Sequence, residues 1–169
     1  MRRSGMTVLA MAAAMALAMP VAGAAEIHDI SGEELAELLR KAGYRATVER
    51  DSEGDPMVTS SAAGAQYNII MYGCQQDRCK SLQFRAGFDL PDGGSLANVD
   101  AWNREKRYAK AWLDDEVDPW LELDLDLEGG GSLGQVGGYI ELWDASLGQF
   151  QTHIYQQADE APETEDHEA

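Results

Sequence analysis

The chain has 169 residues, with 13 Lys and Arg against 30 Asp and Glu, for a formal net charge of −17. That length suits one domain with an adequate core. So negative a field excludes a phosphate backbone as partner, and disfavours an anionic lipid surface for the same reason.

The first segment reads as an export signal. Arg2 and Arg3 precede an apolar run from Met6 to Met19, followed by Pro20 and small residues, and Ala22-Gly23-Ala24 offers a cleavage site, with Gly23-Ala24-Ala25 as an alternative one residue on. The run is shorter than the roughly 20 apolar residues a membrane span needs, and Ser4-Gly5-Met6 lacks what the twin-arginine route reads. The expectation is a signal peptide over 1–24, general secretion, no membrane insertion after cleavage, and a periplasmic or secreted domain over 25–155.

Ser31-Gly32-Glu33-Glu34 is a capping box, Leu35, Leu38 and Leu39 recur at helical spacing, and Gly43 can end the helix in a left-handed conformation. Tyr44 to Glu49 and Met57 to Ser60 read as strands around a turn rich in Asp, Gly and Pro. Two further strands, Tyr67 to Gly73 and Cys79 to Phe88, flank Cys74 and Cys79. In an oxidising compartment these two cysteines form a structural disulfide across the hairpin, rather than a redox couple or a metal site, which would want other spacings or further ligands. If Cys74 faces Cys79, then Met71 opposes Leu82, Ile69 opposes Phe84 and Tyr67 opposes Ala86 on an apolar face. Tyr72 with Ser81, Ile70 with Gln83 and Asn68 with Arg85 fall on the other.

Ser95 is placed to cap a second helix carrying Leu96, Val99 and Trp102 through about Lys106. Arg107 to Leu113 and Trp120 to Leu127 form another hairpin, in which Leu121, Leu123, Leu125 and Leu127 alternate with Glu122, Asp124 and Asp126. A last helix follows Gly129-Gly130-Gly131-Ser132, with Leu133, Val136, Ile140, Trp143, Leu147 and Phe150 on one face. Gly134, Gly137 and Gly138 weaken it, so it relies on docking or frays at its start. Residues 156–169 hold six acids and no base, and read as an acidic disordered tail.

No catalytic constellation emerges. His28, His153 and His167 lack ligand spacing, and neither a nucleophile elbow nor a phosphate loop occurs. Asp114, Glu116 and Asp118 alternate as calcium-loop ligands would, but Pro119 stands where that loop needs Gly and Leu125 where it needs Glu. Gly129-Gly130-Gly131 has no nearby Lys to help hold an anion and reads as a connector. The surface singled out as a partner-binding face is the outward side of the second hairpin: Tyr108, Lys110, Trp112, Trp120, Glu122, Asp124 and Asp126. The competing reading buries these aromatics under a helix or loop and leaves the acids to solvent.

The stretches Leu38 to Tyr44, Tyr72-Gly73-Cys74, Ser81 to Phe88, Trp102-Asn103, Arg107 to Asp114 and Trp143 to Phe150 together resemble the YbjN-domain family, a group named for bacterial sensory transduction regulation. Asp100 replaces an Asn that the pattern would carry two residues before Trp102. The resemblance implies an α+β fold of order α-β-β-β-α-β-β-α, similar to type III secretion chaperones. It implies neither enzyme activity nor active-site residues. The expected function is an exported, non-catalytic interaction or regulatory module, without cofactor or metal, that binds a protein or peptide through a sheet face or edge, a homodimer included. The alternatives are a hydrolase with an acidic dyad, and a low-affinity divalent-cation binder using Glu122, Asp124 and Asp126.

Overall fold

The computed structural model describes residues 25–159. The export segment expected over 1–24 and the chain beyond Asp159, His167 included, lie outside the described residues. In chain order the elements are β1 (Ile30–Ser31), α1 (Gly32–Lys41), β2 (Ala46–Arg50), β3 (Pro56–Ala62), β4 (Ala65–Tyr72), β5 (Arg78–Cys79), β6 (Ser81–Gly87), α2 (Leu96–Glu105), β7 (Lys110–Leu113), β8 (Pro119–Asp126) and α3 (Leu133–Asp159). The class is α+β. The order agrees with the one the resemblance implies, except that four long strands precede α2 where it implies three, the fourth being the strand read from Cys79 to Phe88, and the two-residue strands β1 and β5 appear besides. Two residues carry no periodicity from which to read a strand.

Six strands form one antiparallel sheet in the order β2-β3-β4-β6-β8-β7. Alternation dictates its two faces. Val58, Ile69, Met71, Leu82, Phe84, Leu121 and Leu125 are buried on one, where α1 and α3 pack, while α2 packs against β7 and α3. The stripe on α3 supplies Val136, Ile140, Trp143, Leu147 and Phe150, each at most 1 % exposed. Leu133 falls outside the stripe and is exposed. The glycines do not interrupt this helix: it starts at Leu133, with Ser132 accepting from the Gln135 N–H. Its other end runs to Asp159, so the first residues of the segment read as tail are helical.

The β4–β6 register is the one that the cysteine pairing demands, with Met71 opposite Leu82 and Ile69 opposite Phe84. Cys74 and Cys79 are bonded, and Gln76 and Asp77, both with positive φ, make the two-residue turn between them. The ladder ends at Asn68 and Arg85, so Tyr67 and Ala86 are buried on the same side without being paired.

The capping box forms as expected: Ser31 Oγ accepts the Glu34 N–H, and Glu34 accepts the Ser31 N–H at 2.9 Å. Ser95 occupies the cap position of α2, but its side chain makes no capping bond. Leu96 is 74 % exposed, so the apolar stripe of α2 reduces to Val99 and Trp102.

The ends of the sheet are treated differently. At β7, Asn103 of α2 lies alongside the strand: its Nδ2 donates to the Ala111 carbonyl and its Oδ1 accepts the Ala111 N–H, both at 2.9 Å. Trp102 Nε1 adds a bond to the Ala109 carbonyl. A side-chain amide thus takes the place of a seventh strand. At β2, among the described residues, only the Arg40 guanidinium bonds an outward backbone group, the Ala46 carbonyl.

Candidate functional site

All three helices lie on one side of the sheet or at its β7 end, and among the described residues no helix covers the other side. That open face is built of rows crossing the strands. One row runs Thr47, Thr59, Asn68, Arg85, Glu122, Lys110. The next pairs Trp112 with Trp120 on β7 and β8, with Gly87 beyond Trp120 on β6.

Trp112 and Trp120 are partly exposed and stack on each other, ring centroids 5.7 Å apart and planes at 13°. Arg85 lies against both, its guanidinium carbon 4.3 Å from the Trp120 centroid and 5.3 Å from that of Trp112. Such cation–π contact holds the guanidinium in place. Arg85 Nε is also 3.2 Å from Glu122 Oε1, an ion pair without the alignment of a hydrogen bond. Gly87 makes the arrangement sterically feasible: a Cβ there would stand 2.7 Å from the Trp120 ring.

Asp114 fixes Trp120 from the hairpin loop. Its Oδ2 accepts the Trp120 Nε1–H at 2.7 Å, and its Oδ1 accepts the backbone N–H groups of Glu116 and Asp118. The Trp120 hydrogen bond first, and the Asp118 and Glu116 bonds after it, hold the Asp114 carboxyl below the usual aspartate range. The Asp114, Glu116, Asp118 triplet is therefore the skeleton of a turn. Asp51 builds the β2–β3 turn in the same way, accepting from Glu53 and Asp55.

The structure brings together six of the seven residues expected on this face. Tyr108 is the exception. Ala109 has φ 55°, which breaks strand alternation before β7 begins, and Tyr108 instead joins Trp102, Lys106, Leu142 and Gln149 around a small hollow on the helical side. The two indoles pack on each other and on Arg85, Trp120 is also bonded to Asp114 of the hairpin loop, and the Trp112 Nε1 is buried. The acids have protein partners too: Asp124 accepts from Gln83 Nε2 at 3.0 Å and Asp126 from the Glu128 N–H. Among the described residues no three His, Cys, Asp or Glu side chains gather as a metal set. The carboxyls with displaced pKa values, Glu34, Glu37, Asp77 and Asp114, are all displaced downward, as suits salt links, helix caps and turns.

Beside the stacked indoles a cleft of about 350 Å³ opens at the end of the sheet, with Gln66, Asn68, Arg85, Asp89, Asp118 and Trp120 in its wall. Arg85, Gly87, Gln83 and Asp114 belong to the site as much as the hairpin residues do. Sequence reading had the pairing that places Asn68 beside Arg85, but nothing local says that β6 lies next to β8.

The model of the YbjN family, described as "Putative bacterial sensory transduction regulator", matches residues 31–156. The chain belongs to the YbjN family. No curated protein matches it. In this YbjN domain the stretches that carry the likeness have physical roles: Trp102-Asn103 closes the β7 edge, Ser81 to Phe88 is the strand under the indole pair, and Asp114 ends the Arg107 to Asp114 stretch as the anchor of Trp120. The family description is that of a regulator, and the described residues include no helix long and apolar enough to cross a membrane. The disulfide is compatible with an oxidising, exported environment.

Proposed function

We propose that this YbjN domain is an exported, non-catalytic regulatory module that docks a basic segment of another protein on the open face of its sheet. The observation that carries the reading is the stacked Trp112–Trp120 pair, held by Arg85, Gly87 and Asp114 on a face over which no helix lies among the described residues. Rigid, partly exposed indoles give contact area at small cost in conformational entropy. Arg85 and Glu122 neutralise each other, and Lys110 offsets one of Glu49, Asp124 and Asp126, which leaves the face acidic. With an acidic chain behind it, that sign favours Lys or Arg on the incoming segment.

The hydrolase reading has less support, since it would need a carboxyl pushed upward in a pocket. The cation reading would need Glu122, Asp124 and Asp126 to converge, and each is engaged elsewhere.

The test is to titrate the disulfide-bonded protein with defined peptides, one rich in Lys and Arg with an aromatic residue and one acidic, while following hydrogen exchange and tryptophan fluorescence. The basic peptide is expected to protect β6, β7 and β8 and to change the emission of the accessible indoles, with both effects lost in Trp112→Ala/Trp120→Ala. Protection confined to other elements, or equal binding of the acidic peptide, would overturn the reading.

A further inference from the structure

The cleft beside the indole pair is assembled from three separate parts of the chain: Gln66 lies at the start of β4, Asp89 follows β6 and Asp118 precedes β8. Hydrogen bonds lock the last two together. The Phe88 N–H donates to the Pro119 carbonyl at 3.0 Å, the Leu90 N–H to Asp118 Oδ1 at 3.2 Å, and the Gly94 N–H to the Val117 carbonyl at 2.6 Å. Val117 is held there with φ 67°, a left-handed conformation that a β-branched residue adopts only under constraint. The protein's own bonds thus pre-organise the rim, which lowers the ordering cost of filling the cleft.

We infer that this cleft takes one arginine side chain of the docked segment, with its guanidinium between Asp89 and Asp118. The inference rests on the docking face proposed above and adds the residue that the partner must carry. Charge decides the sign of the group. Arg85, the cation in the wall, is matched by Glu122 at 3.2 Å, whereas neither Asp89 nor Asp118 has an ion-pair partner among the described residues. Asp118 spends Oδ1 on the Leu90 N–H, and Asp89 makes no side-chain hydrogen bond among the described residues. Shape decides between the two basic side chains. The acceptors come from different connections, and the Gln66 amide adds another that has no partner among the described residues. Five N–H donors in a planar fork reach several such acceptors at once, whereas an ammonium is a compact, strongly hydrated point charge. The Trp120 indole in the same wall also offers a guanidinium an aromatic surface. Size sets the extent of the occupant. About 350 Å³ lies at the lower end of cavities that hold a whole small molecule, and it suits one long side chain whose backbone continues onto the neighbouring indole pair.

The probe is acetyl-arginine amide, titrated into the disulfide-bonded protein while nuclear magnetic resonance follows the side-chain amides of Gln66 and Asn68 and the Trp120 indole N–H. Saturable shifts at all three are expected, with the citrulline amide, its neutral isostere, roughly tenfold weaker or more and the lysine amide between them. Asp89→Asn/Asp118→Asn should bring the arginine probe down to the level of citrulline, because the amide oxygen at position 118 can still accept the Leu90 N–H and keep the rim in place. Asp89→Asn alone breaks no internal bond among the described residues, so it should melt with the parent while its affinity for the probe falls. The inference is overturned by a probe that shifts none of these groups, by equal binding of citrulline, or by an Asp89→Asn protein that binds the probe as the parent does. It fails separately from the docking face. A basic peptide that protects β6, β7 and β8 equally well with citrulline in place of every arginine overturns the cleft assignment and spares the face. An arginine probe held in the cleft, with no peptide protecting those strands, overturns the face and with it the assignment of the guanidinium to a docked segment.

Discussion

Gly87 and Asp114 show how much of the open face depends on single atoms. A methyl group at residue 87 would meet the Trp120 ring at 2.7 Å, so Gly87→Ala must push the indole off its neighbour. The expected cost is about 1–3 kcal/mol, as for other overpacked sites, with loss of the near-ultraviolet circular dichroism of the stacked indoles. An unchanged spectrum and melting temperature would show that Trp120 does not rest where described. Asp114 ties the face to pH. Its folded pKa lies below its unfolded one, so its contribution to stability is complete above the unfolded carboxyl range and fades as pH falls through the folded value. Asp114→Asn should melt at a lower temperature than the parent near neutral pH, and the gap should narrow between roughly pH 5 and pH 2. A gap that stays constant across that window would assign the loss to geometry alone. The alternation of Asp114, Glu116 and Asp118 was legible as a loop, whereas the bond to the indole was not, because it depends on where Trp120 leans.

At the level of elements, legibility followed the range of the interaction. The helix stripe of α3, the alternation of β8 and the register of β4 against β6 are all written within one segment or across one short turn, and each appears in the structure. The adjacency of β6 and β8 spans a helix and a hairpin, so Arg85 could be placed opposite Asn68 but not beside the tryptophans. Tyr108 was misplaced because a single left-handed residue, Ala109, resets the alternation that the pattern assumes. The role of Asn103 is written in no local pattern, since it depends on β7 coming to lie alongside. Removing it leaves a part-buried N–H and C=O of Ala111 without partners, so Asn103→Ala is expected to cost roughly 1–3 kcal/mol and to expose a second strand edge. Chemical denaturation would measure the loss, and light scattering would show whether the variant aggregates through that edge.

For the molecule as a whole, the disulfide closes a small ring whose worth lies partly in what it presents. Residues 74 and 79 are five apart, and so short a loop contributes about 2 kcal/mol in the chain-entropy model. Within the ring, Arg78 binds Asp29 and Glu34, Asp77 binds Arg50, and Cys79 opposes Ile30 in the β1–β5 ladder. Cys74→Ser with Cys79→Ser should therefore leave a folded protein with a lower melting temperature, whose amides around Ile27 to Ser31 exchange faster than those of the main sheet. Uniform acceleration across all strands would mean that the ring supports the whole sheet and not this margin.

The same margin sets a timetable for folding. Ile27 exchanges two backbone hydrogen bonds with Gly131, at 2.9 and 2.8 Å, although more than a hundred residues separate them. The start of the domain is thus stitched to the connection that leads into its last helix. Asp29 and Ile30 have partners as soon as Arg78 and Cys79 are in place, but Ile27 itself waits for the connection before α3, and so distant a closure comes late in folding. Until then the few residues before Asp29 stay open to proteases and to any escort that binds extended chain, and they are put away only once Gly131 has taken its place.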